Sequence, residues 1–207
     1  FPKKEPTPSR DYLGCDVGVN ASVARSDGYV GNPLQPLLQR AKDKRAEQQR
    51  QGHGCSSVRS GVKQELDRQA RRVVTLAKRT GKTLVVESQK ALGTLTPRGG
   101  IGGWARRHFG ERVLHLSEAL GVTVIQENPS YTSQACRMCN HVSPNNRRGI
   151  QFRCRQCGHK EHADVLAARN LTRKARGVFP EVERRKGLVK DMVTLSGAPP
   201  FLGGVLS

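Results

Sequence analysis

The sequence predicts an α/β fold carrying a separate metal clip, and three observations predict it. Between Lys82 and Glu127, short apolar runs rich in β-branched residues alternate with a segment of helical periodicity, the pattern of strands and helices packed in layers. Gly81 and Gly121 each close a predicted helix, and a strand-like run starts directly after each. Four cysteines form two C-x-x-C pairs, Cys136/Cys139 and Cys154/Cys157, separated by fourteen residues.

A chain of 207 residues is long enough for one ordinary domain with a small appendage. Only 4% of its residues are aromatic, so the core must rest on Val, Leu and Ala. Lys and Arg number 36 against 17 Asp and Glu, a formal charge of +19. Such an excess points to a polyanionic partner, because Lys and Arg at phosphates release condensed counterions. No run approaches the roughly 18 consecutive apolar residues of a membrane span, and no secretory signal pattern is present. Paired C-x-x-C units are metal spacing rather than a secreted disulfide framework, which predicts a reducing, intracellular location. Cys15 and Cys55 remain as packing or surface thiols. Residues 1–10, rich in Pro and charge, read as a linker, and with Phe1 at the start they raise the expectation of chain upstream.

From Tyr12 the stretch YLGCDVGVNASVARSDGYVG reads as two or three short strands, with turns near Gly18-Val19-Asn20 and Asp27-Gly28. Asp16 falls inside the first of them. A carboxylate among small and apolar neighbours needs backbone N–H donors, a cation or a metal. Residues 31–80 hold twelve Lys/Arg and four Asp/Glu. Within them Val62, Leu66, Ala70, Val73 and Ala77 recur every three or four residues, an amphipathic helix with a basic outer face. Arg59, Lys63, Arg71 and Arg72 are candidates to line a nucleic-acid channel; the plainer alternative is a solvated face. The preceding QGHGCSSVRSG reads as a Gly/Ser loop.

Lys82–Glu87 reads as a buried strand ending in a carboxylate. Functional groups collect at the carboxyl ends of strands in such sheets, which lifts Glu87 above an ordinary strand-end glutamate. Glycines at 99, 100, 102 and 103 read as a surface loop or a flap, and their spacing fits no phosphate-binding fingerprint. Ala105, Phe109, Val113, Leu116 and Leu120 mark a second amphipathic helix, and Val122–Ile125 the next strand.

The segment from Ser130 to Lys160 has six Lys/Arg and no Asp/Glu. Its two C-x-x-C turns offer four thiolates, the tetrahedral set of a structural Zn²⁺ site with no position left for water. His141, His159 and His162 are then spare, as surface residues or nucleic-acid contacts. Arg147, Arg148 and Arg155 are further candidates for nucleic-acid contact. Asp164 opens an Ala/Leu-rich helix, where the dipole alone would favour an anion.

Asp16, Glu87 and Asp164 are far apart in sequence, yet an α/β sheet can bring such positions to one edge. Three acids there would repel one another unless cations held them. Two Mg²⁺ ions about 4 Å apart would do so and would also bind a scissile phosphate.

The order GCDVGVNASVARSDG, LVVES, then PSYTSQACRMC, FRCRQCGH and HADVLAARNL resembles the RuvC-like nuclease region of transposon-encoded TnpB proteins and compact type V CRISPR effectors. The resemblance runs from about Tyr12 to Leu171. It implies an RNase H-like (RuvC) mixed sheet with flanking helices and an inserted four-cysteine zinc ribbon. It implies Asp16, Glu87 and Asp164 as the catalytic, Mg²⁺-holding acids, and guide RNA and target DNA as partners. The implied domain plan is linker 1–10, nuclease core 11–129, ribbon 130–160, last helix 161–176 and a poorly ordered tail 177–207. Two positions depart from the family pattern, Ser88 after the glutamate and Leu166 where an asparagine is common, and both are expected to weaken support of the metal ligands. The family's guide-binding N-terminal half has no counterpart, so a companion segment is expected in the same polypeptide or as a separate subunit. The expected activity is cleavage of DNA phosphodiesters in a prokaryotic cytoplasm, at the nucleoid when bound to DNA. The rival is an RNA-guided DNA binder that acts by occupancy.

Overall fold

The computed structural model describes residues 11–52, 60–88 and 100–182. Strand β1 (Tyr12–Asp16) pairs antiparallel with β2 (Ala24–Arg25) and parallel with β3 (Thr83–Glu87), which pairs parallel with β4 (Val124–Glu127). The four-stranded sheet is therefore mixed, in the order β2-β1-β3-β4. Helices α1 (Gln35–Arg50), α2 (Ser60–Thr80) and α3 (Gly100–Leu120) lie between the strands in sequence, and α4 (Ala163–Ala175) follows the ribbon. A smaller antiparallel sheet of β5 (Arg147–Arg148), β6 (Gln151–Arg153) and β7 (Lys160–His162) belongs to the ribbon.

Strand alternation sorts the side chains into two layers. Leu13, Cys15 and Val17, with Leu84 and Val86, pack into one cluster with Leu66, Val73, Phe109 and Val113 of α2 and α3. Gly14, on the other face of β1, lies against α4. A Cβ built there would stand 2.0 Å from the Ala168 carbonyl oxygen and 2.8 Å from Thr172 Cγ2. The last helix thus lies directly on the backbone of the first strand. Asn170, wholly buried, donates from Nδ2 to Thr132 O (2.7 Å) and Ala135 O (2.8 Å). These bonds tie the entry of the ribbon to α4.

Helix ends follow the glycine signals. At Gly81 (φ 64°) Lys82 N reaches Ala77 O, and at Gly121 (φ 66°) Val122 N reaches Ser117 O, the bonding that a left-handed residue allows after a last turn. That turn uses Val122, so β4 begins at Val124 and not at Val122 as the apolar run suggests. The glycine stretch differs more. It was expected to be loop through Trp104, but α3 is helical from Gly100. Each helical glycine costs about 1 kcal/mol relative to alanine. Packing of Trp104, Ala105 and Phe109 into the core outweighs that cost. Residues 1–10, residues 53–59 of the expected Gly/Ser loop with Arg59 and Cys55, residues 89–99, and 183–207 of the expected tail lie outside the described residues.

Gly14→Ala is expected to cost about 1–3 kcal/mol or more in urea unfolding, because the methyl group meets backbone that cannot swing away. A variant as stable as the parent would contradict the close approach of α4 to β1.

Candidate functional site

Asp16 and Glu87 end neighbouring parallel strands one register step beyond the Cys15–Val86 pair. Both alternate onto the α4 face of the sheet, and Asp164 sits in the first turn of α4. Fold topology therefore brings the three acids together over 148 residues of sequence. Asp16 is 7% exposed and Asp164 4%, which is where a carboxylate needs compensation. Burial pushes the Asp16 carboxyl well above the usual range, reinforced by the charge of Glu87, a hydrogen bond with it, and the charge of Asp164. Arg106 opposes the shift.

Two arginines answer part of the negative charge. Arg106 of α3 donates from Nε to Val17 O at 3.0 Å and lies 3.5 Å from Glu87 Oε2. Arg147 of the ribbon donates to Asp164 Oδ1 at 2.8 Å. Even so, Glu87 Oε2 and Asp164 Oδ2 are buried without a hydrogen-bond partner. Buried carboxylate oxygens without a hydrogen bond, set beside an acid that resists ionising, are the donor set that hard divalent cations take. The residues fit such ions. Among the described residues the carboxylates do not converge as tightly as the four cysteines do, whose sulfurs all lie within 4.8 Å of one another.

The cysteine clip is built by repetition. Cys136 N donates to His141 O and Asn140 N to Cys136 O; Cys154 N donates to His159 O and Gly158 N to Cys154 O. Asn140 (φ 61°) and Gly158 (φ 74°) occupy the same left-handed place after each pair. Sulfurs of different pairs stand 3.6 Å (Cys136–Cys157) and 3.5 Å (Cys139–Cys154) apart. That is far beyond a disulfide bond of about 2.05 Å. It is close to the edge of about 3.8 Å in a tetrahedron with metal–sulfur bonds of about 2.3 Å. Burial raises the Cys136 and Cys139 thiols, whereas the backbone N–H of His159 leads the forces that lower Cys157 to about 7. The set is a closed metal-binding site.

The remaining expectations divide. Lys63, Arg71 and Arg72 are exposed on α2, as are Arg148 and Arg155 on the ribbon. Arg147 is engaged with Asp164 and Gly149 O and is not a free surface cation. His162 is not spare, since it caps α4 by accepting from Asp164 N at Nδ1 (3.3 Å). Leu166 is fully buried against Cys136, Phe152, Cys154 and Ala163, so its place is packing under the ribbon. Arg106, His162 and Glu127, the register partner of Glu87, were missed from sequence. No spacing rule marks them.

Residues 107–171 match the family model of the Cas12f1-like TNB domain. CRISPR-associated endodeoxyribonuclease Cas12f1 of Sulfoacidibacillus thermotolerans is 38% identical over 69 residues, 33% of this chain and 16% of that protein. The protein of the same name from Syntrophomonas palmitatica is 28% identical over 106 residues, 50% of this chain and 21% of its own length. The matches thus cover a fifth or so of each relative. A cryo-EM structure of a Cas12f1–sgRNA–target DNA complex superposes with a TM-score of 0.56 at 16% identity, covering 77% of this chain and 49% of that one. A CRISPR–Cas12f ternary complex gives 0.59 at 18% identity, covering 82% and 40%. At those identities the likeness is one of fold.

The fold is the RNase H-like α/β class with an inserted four-cysteine ribbon. Within that class, residues 107–171 are similar to the Cas12f1-like TNB domain, and the similarity to the Cas12f1 proteins spans only part of this chain.

Cys136→Ser is expected to release the bound metal and to lower the melting temperature, read by metal analysis and calorimetry; one metal per chain retained in the variant would contradict a four-thiolate clip. A pH dependence follows from Asp16. Its folded value lies above its unfolded one of about 3.9, so the folded state binds the extra proton in that window. In chelator, stability is therefore expected to fall as pH rises from about 4 through the raised value. Asp16→Asn removes this slope, so the difference between the two melting profiles measures it.

Proposed function

We propose that this chain is the nuclease part of an RNA-guided DNA endonuclease, cutting phosphodiesters at Asp16, Glu87 and Asp164. The observation that carries the reading is the pair of buried oxygens without a hydrogen bond, Glu87 Oε2 and Asp164 Oδ2, beside the proton-favouring Asp16. The names of its relatives, CRISPR-associated endodeoxyribonucleases, support the same substrate class. Asp16, Glu87 and Asp164 would hold two Mg²⁺ ions, and Cys136, Cys139, Cys154 and Cys157 one Zn²⁺. When bound, the Mg²⁺ ions supply an activated water and stabilise the leaving oxygen.

The chain's own groups prepare that step. Strands β1 and β3 set the Asp16 and Glu87 carboxylates side by side, and α4 lowers Asp164 onto them. Arg106 restrains Glu87 and the backbone after Asp16 from the far side. Arg147 neutralises Asp164 through Oδ1 and leaves Oδ2, which would hold a cation, without a hydrogen bond. Exposed Lys63, Arg71, Arg72, Arg148 and Arg155 screen the backbones of the guide RNA and target strand. Base pairing with a guide would read the sequence, so these groups need no base contacts. A guide-binding segment, in the same polypeptide or as a partner subunit, completes the reading.

Occupancy without cutting has less support. Of the two departures that motivated it, Ser88 and Leu166, the leucine packs beneath the ribbon with the cysteines.

Alanine at Asp16, Glu87 or Asp164 is expected to lower metal-dependent cleavage of a matched target roughly a thousandfold, the scale of several kcal/mol of lost charge stabilisation. Complex assembly should persist. Undiminished cutting by any one of the three would remove that residue from the site.

A further inference from the structure

The acids and the cysteine clip are two chemistries, and Glu161 stands between them. It lies on β7, between the second C-x-x-C turn and Asp164, with its side chain 8% exposed. Three cationic or protonatable groups converge on it. Arg137, inside the first C-x-x-C turn, approaches Oε2 with Nε at 3.1 Å. His159 Nε2 stands 3.2 Å from the same oxygen. Arg169 of α4 takes the other oxygen, Oε1. Glu161 thus joins both cysteine turns to the last helix.

The connection continues into the sheet. Arg169 donates from Nε to Ser26 O at 2.9 Å. Ser26 is clasped to β1 on both sides: its N–H donates to Gly14 O at 2.9 Å, and Gly14 N donates to Ser26 Oγ at 3.0 Å. Gly14 is two residues before Asp16 on the same face of β1, the face that meets Ala168. One guanidinium therefore holds Glu161 of the ribbon with one edge and Ser26 with another, and Ser26 is itself bonded to the strand carrying Asp16, all from the helix that carries Asp164.

We propose that Glu161 and Arg169 are positioning residues for the acidic site: they fasten the ribbon to the helix that bears Asp164 and, through Ser26, to the strand that bears Asp16, and so set how tightly the acids hold divalent cations, without supplying a ligand. The proposal rests on the reading that Asp16, Glu87 and Asp164 bind such ions. A group that orients metal ligands typically changes affinity about 10- to 100-fold when removed. The planar guanidinium fork suits two partners at once, whereas lysine offers a single point charge.

The test is Mn²⁺ titration of the intact protein and of Arg169→Gln, Arg169→Lys and Glu161→Gln, with zinc content and melting temperature measured on the same samples. Arg169→Gln is the sharpest variant, because it leaves Arg137 and His159 on Glu161 and cuts only the link to the core. The expected result is full zinc content with Mn²⁺ affinity at least about tenfold weaker, and no rescue by Arg169→Lys. Parent-like Mn²⁺ affinity in a zinc-replete variant overturns the proposal, whether or not its melting temperature falls, since a merely structural bridge would lower only the latter. Where Arg169→Gln does not fold, Arg169→Lys is judged by the same two outcomes. Should the parent bind no Mn²⁺, or bind it unchanged after Asp164→Asn, the acidic-site reading fails first and the proposal with it; that outcome is recognisable because it appears without any change at Arg169.

Discussion

Three carboxylates held near one another out of water form the constraint around which the structure is arranged. Left to themselves Asp16, Glu87 and Asp164 would separate, because each disfavours the charge of the others and burial disfavours all of it. Their approach is imposed by elements whose own stability has other sources. Parallel pairing brings Asp16 and Glu87 to adjacent strand ends, and the contact of α4 with Gly14 brings Asp164 onto the same face. The electrostatic cost is met by the hydrophobic core behind the sheet and in part by Arg106 and Arg147. What remains, two buried oxygens with no hydrogen bond, one of them only loosely ion-paired with Arg106, is the capacity for cations.

The ribbon takes part in that arrangement. It grows from the end of β4 and returns at the start of α4, so its closed clip brackets the helix that carries Asp164. Asn170 holds its entry, Leu166 packs beneath its cysteines, and Arg173 reaches Asn140 after the first cysteine pair at 2.5 Å. Folding of the clip and placement of Asp164 are therefore mechanically connected. A metal with no open coordination position can act on a distant site only through such contacts.

The legibility of this chain in its sequence varies with the physics involved. Cysteine spacing is local chemistry: two residues between thiolates suffice to turn the chain, so Cys136, Cys139, Cys154 and Cys157 were legible at once. Helix-closing glycines were equally plain at Gly81 and Gly121. The start of α3 at Gly100 was not, because packing of Trp104 and Phe109 overrides the local cost of glycine. The strand β4 was shifted for a related reason, its first apolar residue being used to finish the preceding helix.

Charge and partner chemistry were also written locally: an excess of arginine, an acid at the end of a buried run and an acid in a first helical turn. By itself the sequence determined the α/β class, the metal clip and the identity of three acids worth testing. Only the tertiary structure decided which cations stand against those acids. Arg147 reads as one more basic residue on a loop, yet it is bound to Asp164. Glu161, Arg169, Arg106 and His162 carry no motif, yet they tie together the elements that bear the acids. Spacing along a chain encodes what neighbours in sequence can do; a guanidinium that bridges Ser26 and Glu161 depends on folds closing over more than a hundred residues, and no local rule contains that distance.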